Sequence, residues 1–314
     1  MRLSSRASGV AESATLRLSL EAARLRESGV EVLGLLEGEP DLPVPDAILR
    51  ATEAALKAGR TRYSASTGLA ELKLAIARKL REVNGVSAAA ENIVVTNGAK
   101  HAIYEALQAL VGPGDEVLIP APCWVTFPEA VKLAGATPVL VDTNAEHQLD
   151  VEALARTITV QTFSKSFAMT GYRVGYLAAP ADFVKGASGV HSHLTGNVCT
   201  FAQAGAAAAL ELGAAHRDAW RAAHQERRDV AFELGSKLFA CTKPQGGLFL
   251  FADARKHLGG RHKDSAALAK HLLDAARVAV VPGSAFGREG FLRLSFSAPP
   301  AVLREGFARI GRAL

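Results

Sequence analysis

The chain has 314 residues, 49% hydrophobic and 21% charged, enough to bury a sizeable core as one large domain or two unequal ones. Its net charge of +5 and pI near 9.2 are spread without a concentrated Lys/Arg stripe, which argues against a nucleic-acid partner and favours small anionic ligands. Cys123, Cys199 and Cys241 have no metal-binding spacing, and neither a signal-peptide core nor a bilayer-length apolar run is found, so a soluble cytoplasmic protein without a membrane partner is expected.

Along the chain, the spacing predicts a helix over 46–58, with Asp46 as N-cap and Gly59 as stop. Thr67 precedes a helical stripe of Leu69, Leu72, Ile76 and Leu80 that ends at Asn84-Gly85. "NIVVT" (92–96) reads as a short strand, and "NGAKH" then turns into a helix carrying Ile103, Leu107 and Leu110. "DEVLIP" (115–120), "TPVLVD" (137–142), "ITVQTF" (158–163) and "RVGYLAA" (173–179) are buried-strand candidates. Strands alternating with helices imply an α/β fold, a mostly parallel sheet covered on both faces. After a helical stretch over about 198–239, "GGLFLF", "VAVVP" and "FLRLSF" are short strands, and a last helix covers 300–313. That change of character predicts a smaller α+β domain, joined by the N-terminal segment.

Two places could carry chemistry. The turn Asn97-Gly98-Ala99-Lys100 sets free N–H groups and a positive helix end after a strand, a geometry suited to a phosphate. In "TVQTFSKSFAMTGYRVGY" (159–176), Lys165 follows an apolar strand in a poorly solvated context. A neutral amine there can attack a carbonyl; Thr162 and Ser164 offer hydroxyls, and Arg173 a fork that can grip a phosphate.

"SKSFAMTGYRVGY" resembles the cofactor-lysine motif of class I aminotransferases, the aspartate aminotransferase family of fold type I. "LLEGEPDLPVP" (35–45), "GRTRYSASTGLAELKLAIA" (59–77), "IVVTNGAKHAIYEAL" (93–107), "GPGDEVLIPAPCWVTFPEAV" (112–131) and "FLRLSF" (291–296) are similar to the family in the same order. The resemblance implies pyridoxal 5′-phosphate held covalently by Lys165, with its phosphate on Arg173, Ser164, Thr162 and Gly98-Ala99-Lys100. Trp124 would stack on the pyridine ring, and Tyr63 would reach the phosphate of the neighbouring subunit of a homodimer. Arg293 would hold the substrate α-carboxylate, with the backbone at Gly38 closing over it. Ser13, Thr15 and Lys100 resemble positions that favour a second substrate carboxylate, pointing to aspartate or glutamate with a 2-oxo acid; Ser13 and Thr15 equally suit helix capping. The implied division is a large domain over 37–228 and a small one from 1–36 plus 229–314.

One block of the family pattern is missing. "VEALARTITVQTFSK" joins two flanks directly, with an internal deletion near 157–160 on the order of 60–70 residues, about two βαβ-type units. The resemblance implies that this block carries an Asn and a Tyr for the ring oxygen and an Asp for the pyridine nitrogen. Asp142 and Asp150 are nearby in sequence but match neither position. The expectation is an aminotransferase impaired by the loss, or else a non-catalytic relative that binds cofactor weakly or only dimerises. A regulator is disfavoured because no helix-turn-helix segment precedes the domain. A natural truncation and a gene-model error both fit the gap. Its loss should expose sheet edges or force neighbours to close up.

Overall fold

The computed structural model describes residues 3–11, 13–143 and 158–314. Ser4 caps helix α1 (Ser5–Gly9) and Ser13 caps α2 (Ala14–Glu27), each hydroxyl accepting from a backbone N–H three residues on. After β1 (Leu33–Gly34) comes α3 (Asp46–Lys57), which departs slightly from expectation. Pro45 holds the cap position and Asp46 opens the first turn, where its charge complements the helix dipole. Helix α4 (Ala70–Asn84) buries Leu72, Ile76 and Leu80 and stops on Gly85 at φ 67, as the spacing predicts.

The first half continues with β2 (Ile93–Thr96), α5 (Ala99–Leu110), β3 (Glu116–Ala121), α6 (Thr126–Leu133) and β4 (Thr137–Asp142). Then come β5 (Thr159–Thr162), β6 (Gly175–Ala178) and α7 (Ala181–Leu194). The helical stretch expected over 198–239 is two helices, α8 (Thr200–Leu210) and α9 (Gly213–Leu238), parted where Gly213 takes φ 71. The remainder holds β7 (Ala240–Cys241), β8 (Phe249–Asp253), α10 (Ser265–His271), β9 (Val278–Ala279), β10 (Val281–Pro282), β11 (Phe291–Ser295) and α11 (Pro300–Ala313).

The α/β class stands, but the first-half strands form two sheets. One has the order β2-β6-β5, with β6 antiparallel to both neighbours; the other is the parallel pair β3-β4. The last third adds an antiparallel sheet β10-β11-β8-β7 and the parallel pair β1-β9. Two apolar clusters dominate: one around Leu72, Ile76, Ile93 and Phe163, the other around Leu250, Leu272, Leu292 and Phe307.

Two burial expectations fail. Against the expectation that β3 and β4 are buried, Leu118 is 67% exposed and Leu140 47%. Among the described residues β5 pairs only with β6, and β3 only with β4, so each keeps an open edge. Helix α5 likewise buries Ala102 and Glu105 against α7, not the stripe of Ile103, Leu107 and Leu110; Leu110 is exposed. Leu107 is half-buried and packs on the small cluster of Ile119, Cys123, Val131 and Ala136.

Candidate active site

The strand-to-helix turn and the stretch after β5 converge. Gly98, at φ 81, is the cap residue of α5, and the N–H groups of Ala99 and Lys100 fall in the first turn, where no intrahelical acceptor exists. Arg173 Nη2 reaches the Asn97 carbonyl at 3.4 Å, and Nη1 the Thr170 carbonyl at 2.9 Å. Across this floor Thr162 Oγ1 and Ser164 Oγ lie 2.9 Å apart, and Thr162 also donates to the Val174 carbonyl. A Cβ on Gly175 would stand 2.7 Å from Ala99 N, so only glycine lets β6 approach the helix start this closely. Arg173 itself sits at φ 55 and Ala168 at φ 53, a left-handed backbone that side chains other than glycine adopt at a cost of about 1–3 kcal/mol.

Lys165 stands beside this cradle. The expectation of a poorly solvated context is corrected in part: Lys165 is exposed. Its amine nevertheless loses enough water to lower its pKa; Glu39 opposes that shift, and Arg173 and Arg293 add to it. Glu39 in turn accepts from Thr170 Oγ1. Arg293, on β11, lies between the rings of Phe249 and Phe286, at 4.0 and 4.7 Å, and donates through Nη2 to the Leu36 carbonyl. Burial draws its pKa down to about 10, so it stays cationic at neutral pH, and its buried Nε has no partner.

The other sequence candidates fall at varied distances from this centre. Lys100 Nζ lies 5.0 Å from the ring centroid of Trp124, which is half-exposed. Ser13 caps α2 and bonds Thr15 Oγ1 at 2.9 Å, so the capping role is real; Ser13 also lines a cavity of about 810 Å³ with Asn97, Lys100 and Arg173. Gly38 packs under Phe249, whose Cζ would stand 2.7 Å from a Cβ there. Tyr63 is 94% exposed and takes no part in the cradle of its own chain. Asp142 is exposed and pairs with Arg288, and Asp150 lies outside the described residues.

Comparison with known proteins gives this arrangement a family. The model of "Aminotransferase class I and II" matches residues 30–159 and 155–310. The chain belongs to that family. It is 35% identical to a probable aspartate/prephenate aminotransferase of Aquifex aeolicus, over 99% of this chain and 98% of the other. It is 34% identical to an aspartate aminotransferase of Streptomyces avermitilis, over 100% and 96%. The solved aspartate aminotransferase of Thermus thermophilus with maleate superposes with a TM-score of 0.93 at 30% identity, covering 100% of both chains. This is the fold type I aminotransferase architecture, and pyridoxal 5′-phosphate is the cofactor of the family.

Two details of the class I aminotransferase match locate the missing block. The alignment to the Aquifex relative runs over 391 residues against the 314 here, so at least 77 of its positions have no residue in this chain. The two matched pieces of the family model meet at 155–159, the junction expected from the sequence, which falls partly outside the described residues. Among the described residues β3 and β5, on the two sides of that junction, each pair along one side only.

Sequence reasoning missed three features of the site. Glu39 lies within "LLEGEPDLPVP", and nothing in that stretch signals its place near Lys165. The Phe249 and Phe286 rings around Arg293 come from β8 and from the 283–286 turn, distant in sequence. The cluster of His101 with the buried Glu105 and His191 had a partial signal in the i, i+4 spacing of "HAIYE".

Proposed function

We propose that this chain is an aminotransferase that keeps the anchoring end of its cofactor site and has lost most of its turnover. One observation carries the reading: Gly98, Arg173, Thr162 and Ser164 form a single cradle with Lys165 beside it. A Cβ on Gly98 would stand 2.4 Å from Arg173 Nη2, so the turn is shaped around that guanidinium, and the phosphate end of the cofactor fits the residues present. In this reading Arg173, Ser164, Thr162 and the Gly98-Ala99-Lys100 turn hold the phosphate, and Trp124 lies against the ring. Tyr63, exposed on its own chain, serves the site of a partner in a homodimer.

When bound, the cofactor supplies a carbonyl for an amine and an electron sink for the charge left at a substrate Cα. Lys165 Nζ provides the amine that anchors it, and once released takes and returns the Cα proton. Its lowered pKa raises the neutral fraction that both tasks need. Arg293, held beside the Phe249 and Phe286 rings, presents its remaining donors to the α-carboxylate beneath Gly38. Ser13, Thr15 and Lys100 would meet a second carboxylate, in keeping with the aspartate and prephenate names of the relatives and with the maleate of the Thermus structure. Aspartate or glutamate with a 2-oxo acid is the substrate pair this supports.

The impairment rests on the absent block. The family's carboxylate for the pyridine nitrogen belongs to the stretch missing between β4 and β5. Losing a charge-assisted partner at a buried site costs about 3–5 kcal/mol, or roughly 10²–10⁴ in rate. The same absence favours a second reading, a non-catalytic protein that binds cofactor or only dimerises. The two apolar clusters support a large domain over 37–228 and a small one from 1–36 plus 229–314. No helix among the described residues is long and apolar enough to cross a membrane, which accords with a cytoplasmic setting.

Purified chain titrated with pyridoxal 5′-phosphate should develop a visible absorption band, and borohydride should then fix the cofactor on Lys165. The band should vanish in Lys165→Ala. A band of equal strength in that variant, or none in the parent chain, would sink the proposal.

A further inference from the structure

His101 and Glu105 lie four residues apart on α5 and share one face; His191 lies in the last turn of α7, which Thr195 closes by donating its N–H to the His191 carbonyl. The two helices pack together, and Glu105 Oε1 is bonded by both imidazoles, His191 Nδ1 at 2.6 Å and His101 Nε2 at 2.9 Å. Glu105 and His191 are fully buried, while His101 is 15% exposed at its side chain. One carboxylate oxygen thus takes both bonds. Glu105 Oε2, His191 Nε2 and Thr195 Oγ1 are left buried without a partner, three of the six such side-chain atoms among the described residues. Unpartnered polar atoms clustered on a buried carboxylate and a buried imidazole are an arrangement proteins rarely leave unsatisfied.

We propose that His101, Glu105 and His191 bind one divalent transition-metal ion of the zinc class between α5 and α7. The three ligand atoms lie within 4.8 Å of one another, and two imidazole nitrogens with one carboxylate are a donor set that zinc takes. The ion takes the two ring nitrogens that now face Glu105 Oε1, and each imidazole's proton moves from that nitrogen to the one facing away. For His101 that nitrogen is Nδ1, which gives up a long 3.3 Å bond from the Asn97 N–H. For His191 it is Nε2, a buried atom that has no partner now. Glu105 Oε2 is free to make the carboxylate bidentate. His101 and Thr195 also line the cavity of about 810 Å³, from which water can complete the coordination. The site uses neither Lys165 nor Arg173 and does not rest on the aminotransferase reading.

The chain, stripped with EDTA, is titrated with Zn²⁺ against a chromophoric chelator and with Co²⁺ by visible absorption. The expected result is one ion per chain, a Co²⁺ spectrum of a four- or five-coordinate nitrogen–oxygen site, and affinity lowered roughly 100-fold in His101→Ala and His191→Ala. Should His191→Ala fail to fold, Glu105→Gln keeps the shape of the buried residue and should show the same loss. His262→Ala, at the separate His262–His271 ring pair, should bind as the parent does. Unchanged affinity in His101→Ala, loss of the ion in His262→Ala instead, or no saturable binding by the parent chain overturns the proposal.

Discussion

Gly98 and Arg173 are interlocked: a Cβ on Gly98 would stand 2.4 Å from Arg173 Nη2, and the two residues hold φ values of 81 and 55. Gly98→Ala therefore adds a clash to a strained backbone. The expected cost is about 1–3 kcal/mol of stability, with the guanidinium pushed off its place. Cofactor affinity should fall at least ~10-fold, the equivalent of 1.4 kcal/mol. Parallel thermal unfolding and cofactor titration check both effects, and unchanged affinity would show that Arg173 is not part of the cradle.

Lys165 should react with the cofactor more readily as pH rises, with a midpoint below the ordinary lysine value of 10.5. Partial burial is the main cause, Glu39 pulls the other way, and Arg173 and Arg293 assist. Glu39→Gln should therefore lower the midpoint, and Arg293→Gln should raise it. The folded chain gives up this proton at a lower pH than the unfolded one. Its contribution to stability is thus an unfavourable one below the folded pKa, and it eases as pH rises from there towards 10.5. Borohydride trapping across pH on the three proteins reads the order directly; midpoints that coincide would contradict it.

The open strands make a physical prediction of their own. Leu118 on β3 and Leu140 on β4 present apolar surface beside unpaired edges, a template for association. Leu118→Lys should leave stability within about 0.5 kcal/mol and reduce self-association. Light scattering on heated samples tests it, and aggregation equal to that of the parent would place the sticky surface elsewhere.

Much of this was legible in the sequence because the signals were local. The stripe Leu72, Ile76 and Leu80 ended on Gly85 as its period implied, and Gly98 marked the start of α5. The approach of Lys165 to Arg173 was readable because eight residues and one turn separate them. What stayed hidden depends on contacts between distant segments. The exposure of Leu118 depends on what packs over β3, which no local pattern in "DEVLIP" can report. The sandwich of Arg293 needs Phe249 and Phe286 from other elements, and His191 joins Glu105 across 86 residues. The break at Gly213 was missed because the apolar period continues through it while the backbone does not.

The central claim is that the anchoring end survives and the turnover end does not. Stopped-flow absorption of the cofactor-loaded chain mixed with aspartate tests both halves on one sample. The account predicts a Lys165-dependent starting band that bleaches slower than about 0.1 per second, given the lost partner and ordinary enzyme rates. Bleaching at roughly 10 per second or faster, within the usual range for enzymes, would contradict it.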